Sequence, residues 1–174
     1  MTCVFITLGS NIDSEANMRL AVRKLAERCT LLAVSPVYET APVGTVDQPN
    51  FLNAAALIET ELPANALKWD VLRAIEAELG RVRKPDKNAP RTIDLDVALF
   101  GREVLEVNGG HIPDPDIGKH AHVTFPLADL CPFFRHPETG RALKEIRNHL
   151  ENGGVLRRLE IDLWPDREVS REEI

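Results

Sequence analysis

RKPDKNAPRTIDLDVALF, residues 83–100, passes from a basic, proline-broken loop into an apolar strand that carries two aspartates two positions apart. On a strand, side chains at i and i+2 share a face. Asp94 and Asp96 are therefore expected to point together, with Thr92 and Ala98, while Ile93, Leu95, Val97 and Leu99 face a core. Two carboxylates side by side repel each other unless a positive group lies between them. Mg2+ is commonly held by one or two carboxylates plus substrate phosphates and water, which such a pair can offer. The competing reading is a solvated polar face with surface ion pairs to nearby arginines, and the strand alone leaves both open.

The residues just upstream favour the metal. Arg81, Arg83, Lys84, Lys87 and Arg91 crowd a stretch that also holds Pro85 and Pro90, and the prolines cannot continue a preceding helix. A basic loop able to move and close is expected there. Phosphoryl transfer is mostly positioning plus neutralisation of charge on the equatorial oxygens, so it needs metal carboxylates and arginines converging from different elements. The chain has no GxxxxGK[ST] and no GxGxxG after a strand, so a nucleotide enzyme here would be of a less common design.

Further outward the element types alternate. Cys3 to Leu8 is a β-branched run that ends at the turn cluster Gly9-Ser10-Asn11. A helix is predicted from about Ser14 to Arg28, with Leu20 and Leu25 on one face. Leu31 to Thr40 contains Pro36 and suits an edge or bulged strand; Phe51 to Thr60 is a strand after the loop Gly44 to Asn50. A second helix is predicted from Ala64 to Leu79, stopped by Gly80, then a strand from Thr92 to Phe100. Pro126 to Leu130 and Ala142 to Leu150 suit helices, and Leu156 to Leu163 a last strand. The order β-α-β-β-α-β is that of an α+β, ferredoxin-like sandwich, a mostly antiparallel sheet with helices on one face. One domain is expected over residues 1–164, followed by a polar tail at 165–174.

Composition narrows the class. Cys3, Cys29 and Cys131 are odd in number and widely spaced, which argues for reduced thiols rather than disulfides or a cysteine zinc site. No apolar run approaches the roughly 20 residues that cross a bilayer, and the net charge of −6 has its signs interspersed. The expectation is a cytoplasmic monomer acting on small molecules, with neither nucleic acid nor membrane as partner. Trp69 and Trp164 read as packing groups, and His111, His136 and His149 as surface.

APRTIDLDVALFG (89–101), GRVRK (80–84), LGSN (8–11) and SPVYETAPVGTVDQPNFLNAA (35–55), in that order, resemble the 6-hydroxymethyl-7,8-dihydropterin pyrophosphokinases of folate synthesis. The resemblance covers about residues 1–135. It implies a ferredoxin-like fold and a reaction in which the pterin's hydroxymethyl oxygen attacks the β-phosphorus of ATP, the pyrophosphoryl group moves and AMP leaves. It further implies two Mg2+ ions on Asp94 and Asp96, with Asp96 nearest the attacking hydroxyl, and Arg81 and Arg91 clamping the phosphates. The pterin would lie against Thr40, Ala41, Pro42 and Val43, bonded by Asn53 and stacked on Phe51; read alone, Phe51 suits a core.

Departures from the family pattern fall downstream. In IPDPDIGKHAHVTFPLADL, Asp114 stands where a histidine is expected, His120 where an arginine contacts ATP, and His122 where a phenylalanine closes the pterin sandwich. Imidazole is flat and can stack, but histidine, unlike arginine, is only partly charged near neutral pH. Asn88 and Ala89 replace an aromatic before the PR pair, and Arg73 replaces a glutamine. Two alternatives follow from these changes. One is a transition-metal site from Asp114, Asp116, His120 and His122, with the HxH pair on a strand; the other is a catalytically altered pterin- or nucleotide-binding module, or an enzyme for a related pterin.

Overall fold

The structure, a computed structural model, describes residues 1–44, 47–150 and 153–164. Thr45 and Val46 of the loop before Phe51, and the expected tail at 165–174, lie outside the described residues. In chain order the elements are β1 (Thr2–Ser10), α1 (Ser14–Arg28), β2 (Thr30–Val34), β3 (Val37–Thr40) and β4 (Phe51–Thr60). Then come α2 (Ala64–Ala66), a π-helical segment (Leu67–Leu72), α3 (Arg73–Glu78), β5 (Asp94–Phe100), β6 (Leu105–Val107), β7 (Gly110–Ile112), α4 (Ala121–Leu130), α5 (Leu143–Asn148) and β8 (Val155–Leu159). The main sheet has the order β5-β1-β4-β3-β8, with β2 also paired to β4, and its pairings are antiparallel. This is the ferredoxin-like α+β arrangement that the element order predicted.

The expected strand at 31–40 is two strands because of Pro36, which has no N–H to give the ladder. Ser35 repairs the break: its N–H donates to the Ala55 carbonyl and its Oγ accepts the Ala55 N–H, each at 2.8 Å. In α1, Met18, Ala21, Val22 and Leu25 are buried, a spacing of one helical stripe. Leu20, predicted to share that stripe, is exposed, since it lies about 140° from Leu25 around a helix of 3.6 residues per turn.

Helices cover both faces of the sheet, not one. Val4, Ile6, Leu8, Ala54 and Ile58 pack with α1 and the α2–α3 rod. Phe5, Ala55 and Leu99 pack on the other face with α4 and α5. A register shift explains how β5 serves both sides: Phe5 pairs with Leu99 but Ile6 with Val97, leaving Ala98 as a bulge. Leu99 therefore faces away from Leu95 and Val97, against the strict alternation expected, while Asp94 and Asp96 keep their common face. Both α4 and the last strand depart from prediction. The helix begins at Ala121, not Pro126, with the proline inside it; β8 ends at Leu159, with Leu163 and Trp164 still packed on the core.

Two further readings are corrected. Trp69 is half-exposed with the Arg73 guanidinium 5.7 Å above its ring, and His136 is buried, which pushes its imidazole pKa down. The β6–β7 hairpin, which the element reading left out, is tied down by His111, whose Nδ1 and Nε2 meet Glu106 and Glu138. These carboxylates raise the His111 pKa above the ordinary histidine range. A raised pKa means that the bridge is complete below the unfolded-state value of about 6.5 and is lost as pH rises through the folded-state value. Melting temperature measured from pH 6 to 9 should therefore fall more in the wild type than in His111→Gln. Parallel curves would show the bridge to be without effect.

Candidate active site

The polar end of β1 organises the site. Gly9 pairs with Asn53 of β4 on one side and Asp94 of β5 on the other, and a β-carbon on Gly9 would stand only 3.3 Å from Asn53 Oδ1. Glycine here leaves open the space between the two side chains. Asn11, buried just beyond, fastens two loops to the sheet. Its Oδ1 accepts the Arg91 N–H at 2.8 Å, and its Nδ2 donates to Gln48 Oε1 at 2.8 Å and to the Pro49 carbonyl at 3.2 Å. Gln48 in turn donates to the Asn88 carbonyl at 2.8 Å.

Two cavities adjoin at the aspartates. The larger, about 450 Å3, brings together Thr40, Ala41, Val43, Phe51, Asn53, Arg91, Asp94, Asp96, Asp114, His120 and His122, which are nearly all of the residues singled out in the sequence. The smaller, about 240 Å3, is walled by Arg73, Arg81, Arg83, Lys84, Lys87 and Arg91 against Asp86, Asp94 and Asp96. Lys87, Arg91, Asp94 and Asp96 border both. Of the predicted residues, Arg81 lines only the smaller cavity and Pro42 lines neither.

Each arginine has a defined anchor. Arg91 donates to Asp94 Oδ2 at 2.9 Å and to the Lys87 carbonyl, and its guanidinium lies 5.4 Å from the Phe51 ring centre. Arg81 donates to the Ile93 carbonyl at 2.9 Å and comes within 3.8 Å of Asp94 Oδ1. Burial lowers the Arg81 pKa, and the Nε atoms of Arg73 and Arg81 are buried without a hydrogen-bond acceptor among the described residues. A cavity with this excess of guanidinium groups suits a polyanion.

Glu76 and Lys68 belong to this site but were not singled out in the sequence. Glu76 accepts the Leu95 N–H at 2.8 Å with Oε1, which also meets Arg73 at 2.9 Å, while Oε2 meets Arg83 at 2.7 Å. Arg73 closes the ring by donating to the Leu95 carbonyl at 3.0 Å. The residue between the two aspartates is thus clamped from α3. Lys68 reaches Asp96 from the π segment. A charged residue within an apolar helical stripe was the available signal for both.

The predicted pterin wall is partly engaged already. Asn53 Nδ2 donates to Thr40 Oγ1 at 2.8 Å, and the Ala41 N–H donates to the Gly154 carbonyl at 3.0 Å. That N–H is therefore not free to read a heterocycle. Asp114 is held by its N–H to the Ala98 carbonyl, and its Oδ1 accepts the Asp116 N–H, both at 2.8 Å. Burial, and after it the charges of Asp116 and Asp96, raises its pKa against that hydrogen bond and Lys68.

His120 and His122 are not on a strand: His120 is the N-cap of α4 and His122 stands in its first turn. Their rings lie 5.4 Å apart, and burial lowers the His122 pKa, favouring a neutral ring. No group of three or more His, Cys, Asp or Glu side chains suited to a metal occurs among the described residues. The proposed transition-metal cluster of Asp114, Asp116, His120 and His122 therefore has no geometric support. Asp94 and Asp96 do fit magnesium, as two hard oxygen ligands, partly exposed, beside a cavity whose occupant would complete the coordination.

An antiparallel α+β sandwich with paired carboxylates between an arginine-lined cavity and a second, mixed one has the charge arrangement that suits a phosphoryl-group transferase. Comparison with known proteins makes the assignment specific. The chain belongs to the family described as 7,8-dihydro-6-hydroxymethylpterin-pyrophosphokinase (HPPK), which matches residues 5–132. It is 42% identical over 147 residues to a 2-amino-4-hydroxy-6-hydroxymethyldihydropteridine pyrophosphokinase of Pseudomonas aeruginosa, covering 82% of this chain and 88% of the relative. With one of the same name from Bacillus subtilis it is 43% identical over 130 residues, 73% of this chain and 77% of the relative. Among solved structures, a Plasmodium falciparum HPPK-DHPS chain matches with a TM-score of 0.63 and 15% identity over 85% of this chain. This chain spans 43% of that longer one, and the likeness shows the fold alone. The chain is an ATP-dependent pyrophosphokinase. Among the described residues no helix is long and apolar enough to cross a membrane.

Proposed function

We propose that the smaller cavity receives the triphosphate of ATP and the larger one 6-hydroxymethyl-7,8-dihydropterin, so that the hydroxymethyl oxygen meets the β-phosphorus at Asp96. The observation that carries this reading is the shared wall: Lys87, Arg91, Asp94 and Asp96 border both cavities. Two magnesium ions on Asp94 and Asp96 would neutralise charge on the phosphate oxygens and hold them in line.

The chain's own groups divide the remaining work. Arg81 and Arg91, now bound to Asp94 and to main-chain carbonyls, supply guanidinium donors to the transferred group. Asp96 orients the attacking hydroxyl. Asn53, fixed through Thr40, bonds the pterin edge, and Phe51 and His122 supply flat surfaces for its two faces. A neutral His122 suits that stacking role. Asp114 and His120 line the larger cavity and not the smaller one, so a part for them in nucleotide binding requires the bound ATP to reach beyond its triphosphate pocket into the larger cavity. The product is the activated pterin of folate synthesis, and AMP leaves.

The test is incubation with ATP, Mg2+ and the dihydropterin, with AMP and ADP quantified separately. AMP formed only with the pterin is expected; ADP in its place would refute pyrophosphoryl transfer. Phe51→Ala should weaken pterin binding at least about fivefold, since a stacked ring pair is worth roughly 1 kcal/mol beyond burial and 1.4 kcal/mol is tenfold in affinity. Fluorescence titration with the pterin measures it, and an unchanged Kd would remove Phe51 from the site.

A further inference from the structure

Lys68 is a charge with no part in the reaction as derived above. It stands in the π segment, and its side chain is only 6% exposed. Its Nζ lies 3.2 Å from Asp96 Oδ1, which also accepts the Val97 N–H at 3.0 Å. The ammonium also passes close to the turn of the β6–β7 hairpin: a β-carbon on Gly110 would be in ordinary contact with Nζ, at 3.7 Å. An ammonium is costly to bury without a partner, and Asp96 is its ion-pair partner among the described residues.

Lys68 differs from the other cations of the site. Arg81 and Arg91 line the triphosphate cavity and can exchange Asp94 for phosphate oxygens; Lys68 lines neither cavity. Buried and outside both cavities, its ammonium has no place from which to exchange Asp96 for a phosphate oxygen. A fixed cation against one member of a carboxylate pair repels a second cation and lowers the pair's affinity for it. A triphosphate brings enough negative charge to reverse that deficit.

We propose that Lys68 is a built-in counter-cation of Asp96 that keeps the carboxylate pair from taking a lone divalent ion and makes metal entry depend on the nucleotide. This positioning role rests on the reading of Asp96 as a metal ligand. The test is titration with Mn2+, followed by the paramagnetic resonance of the free ion, first without nucleotide and then with α,β-methylene-ATP. Lys68→Met and Lys68→Gln remove the charge, one keeping the apolar stem and one a polar end.

Without nucleotide both variants should bind Mn2+ at least tenfold more tightly than the wild type. With the analogue present the difference should shrink below about threefold. Equal or weaker binding by the variants without nucleotide overturns the proposal. If one variant does not fold, the other decides; failure of both would make Lys68 a structural group and overturn it as well. Asp96→Asn separates the two levels, because undiminished Mn2+ binding with the analogue present would mean that Asp96 is not a ligand, and the site reading itself would fall.

Discussion

Asp96→Asn is expected to lower kcat/KM for AMP formation by at least about a thousandfold, close to 4 kcal/mol at 1.36 kcal/mol per tenfold. The amide keeps an oxygen for the Val97 N–H and for Lys68, so the fold should persist. What disappears, on the proposed mechanism, is the charge that would face metal and attacking hydroxyl, and removal of one such electrostatic group commonly costs two to three orders of magnitude even without loss of a metal. The assay reads AMP against time, with circular dichroism confirming the fold. Activity within tenfold of the wild type would show that the reaction is centred elsewhere.

The second large effect is on stability. Glu76→Ala should destabilise the protein by about 3–5 kcal/mol, the usual cost of breaking a buried ion pair from one side. That corresponds to a melting temperature lower by on the order of 10 °C for a domain of this size. The substitution strips the Leu95 N–H of its acceptor and leaves Arg73 and Arg83 without their carboxylate. Burial pushes the Glu76 pKa up, against the lowering effect of the Leu95 N–H and the arginines. With a raised folded-state pKa the protonated form is favoured on folding, so the group's contribution is greatest at acid pH and declines as pH rises through that value. Glu76→Gln, which stays neutral, should accordingly keep more stability than Glu76→Ala, and its stability relative to the wild type should improve as pH rises. A loss under 1 kcal/mol for the alanine variant would sink this account.

Much of the architecture was legible because periodicity and punctuation agreed. α1 and β4 have the predicted bounds, and Gly80 ends the second helical rod with a positive φ of 77°. What escaped was whatever depends on neighbours distant in sequence. The bulge at Ala98 shows only when β5 is paired with β1. Pro126 invited a helix start because proline suits the first turn, yet the apolar contacts of Ala121, Val123 and Phe125 carry the helix further back. In the site, Asp94, Asp96 and the arginines announced themselves through charge against an apolar strand. Asn11 did not, because a turn asparagine reads the same whether it bonds its own turn or two remote loops. Lys68 and Glu76 lay hidden in a helical stripe whose facing partners the sequence does not name.

β5 lies at one end of the sheet order, and such an outer strand ordinarily offers unpaired main-chain groups to another molecule's strand. Here several of them are taken: just before the strand Arg81 takes the Ile93 carbonyl, Glu76 and Arg73 take both polar groups of Leu95, and the Asp114 N–H takes the Ala98 carbonyl. Arg73 and Arg81, which also wall the smaller cavity, therefore help shield the strand from edge-to-edge recruitment. Damage to this clamp would expose a template for aggregation as well as disturb catalysis.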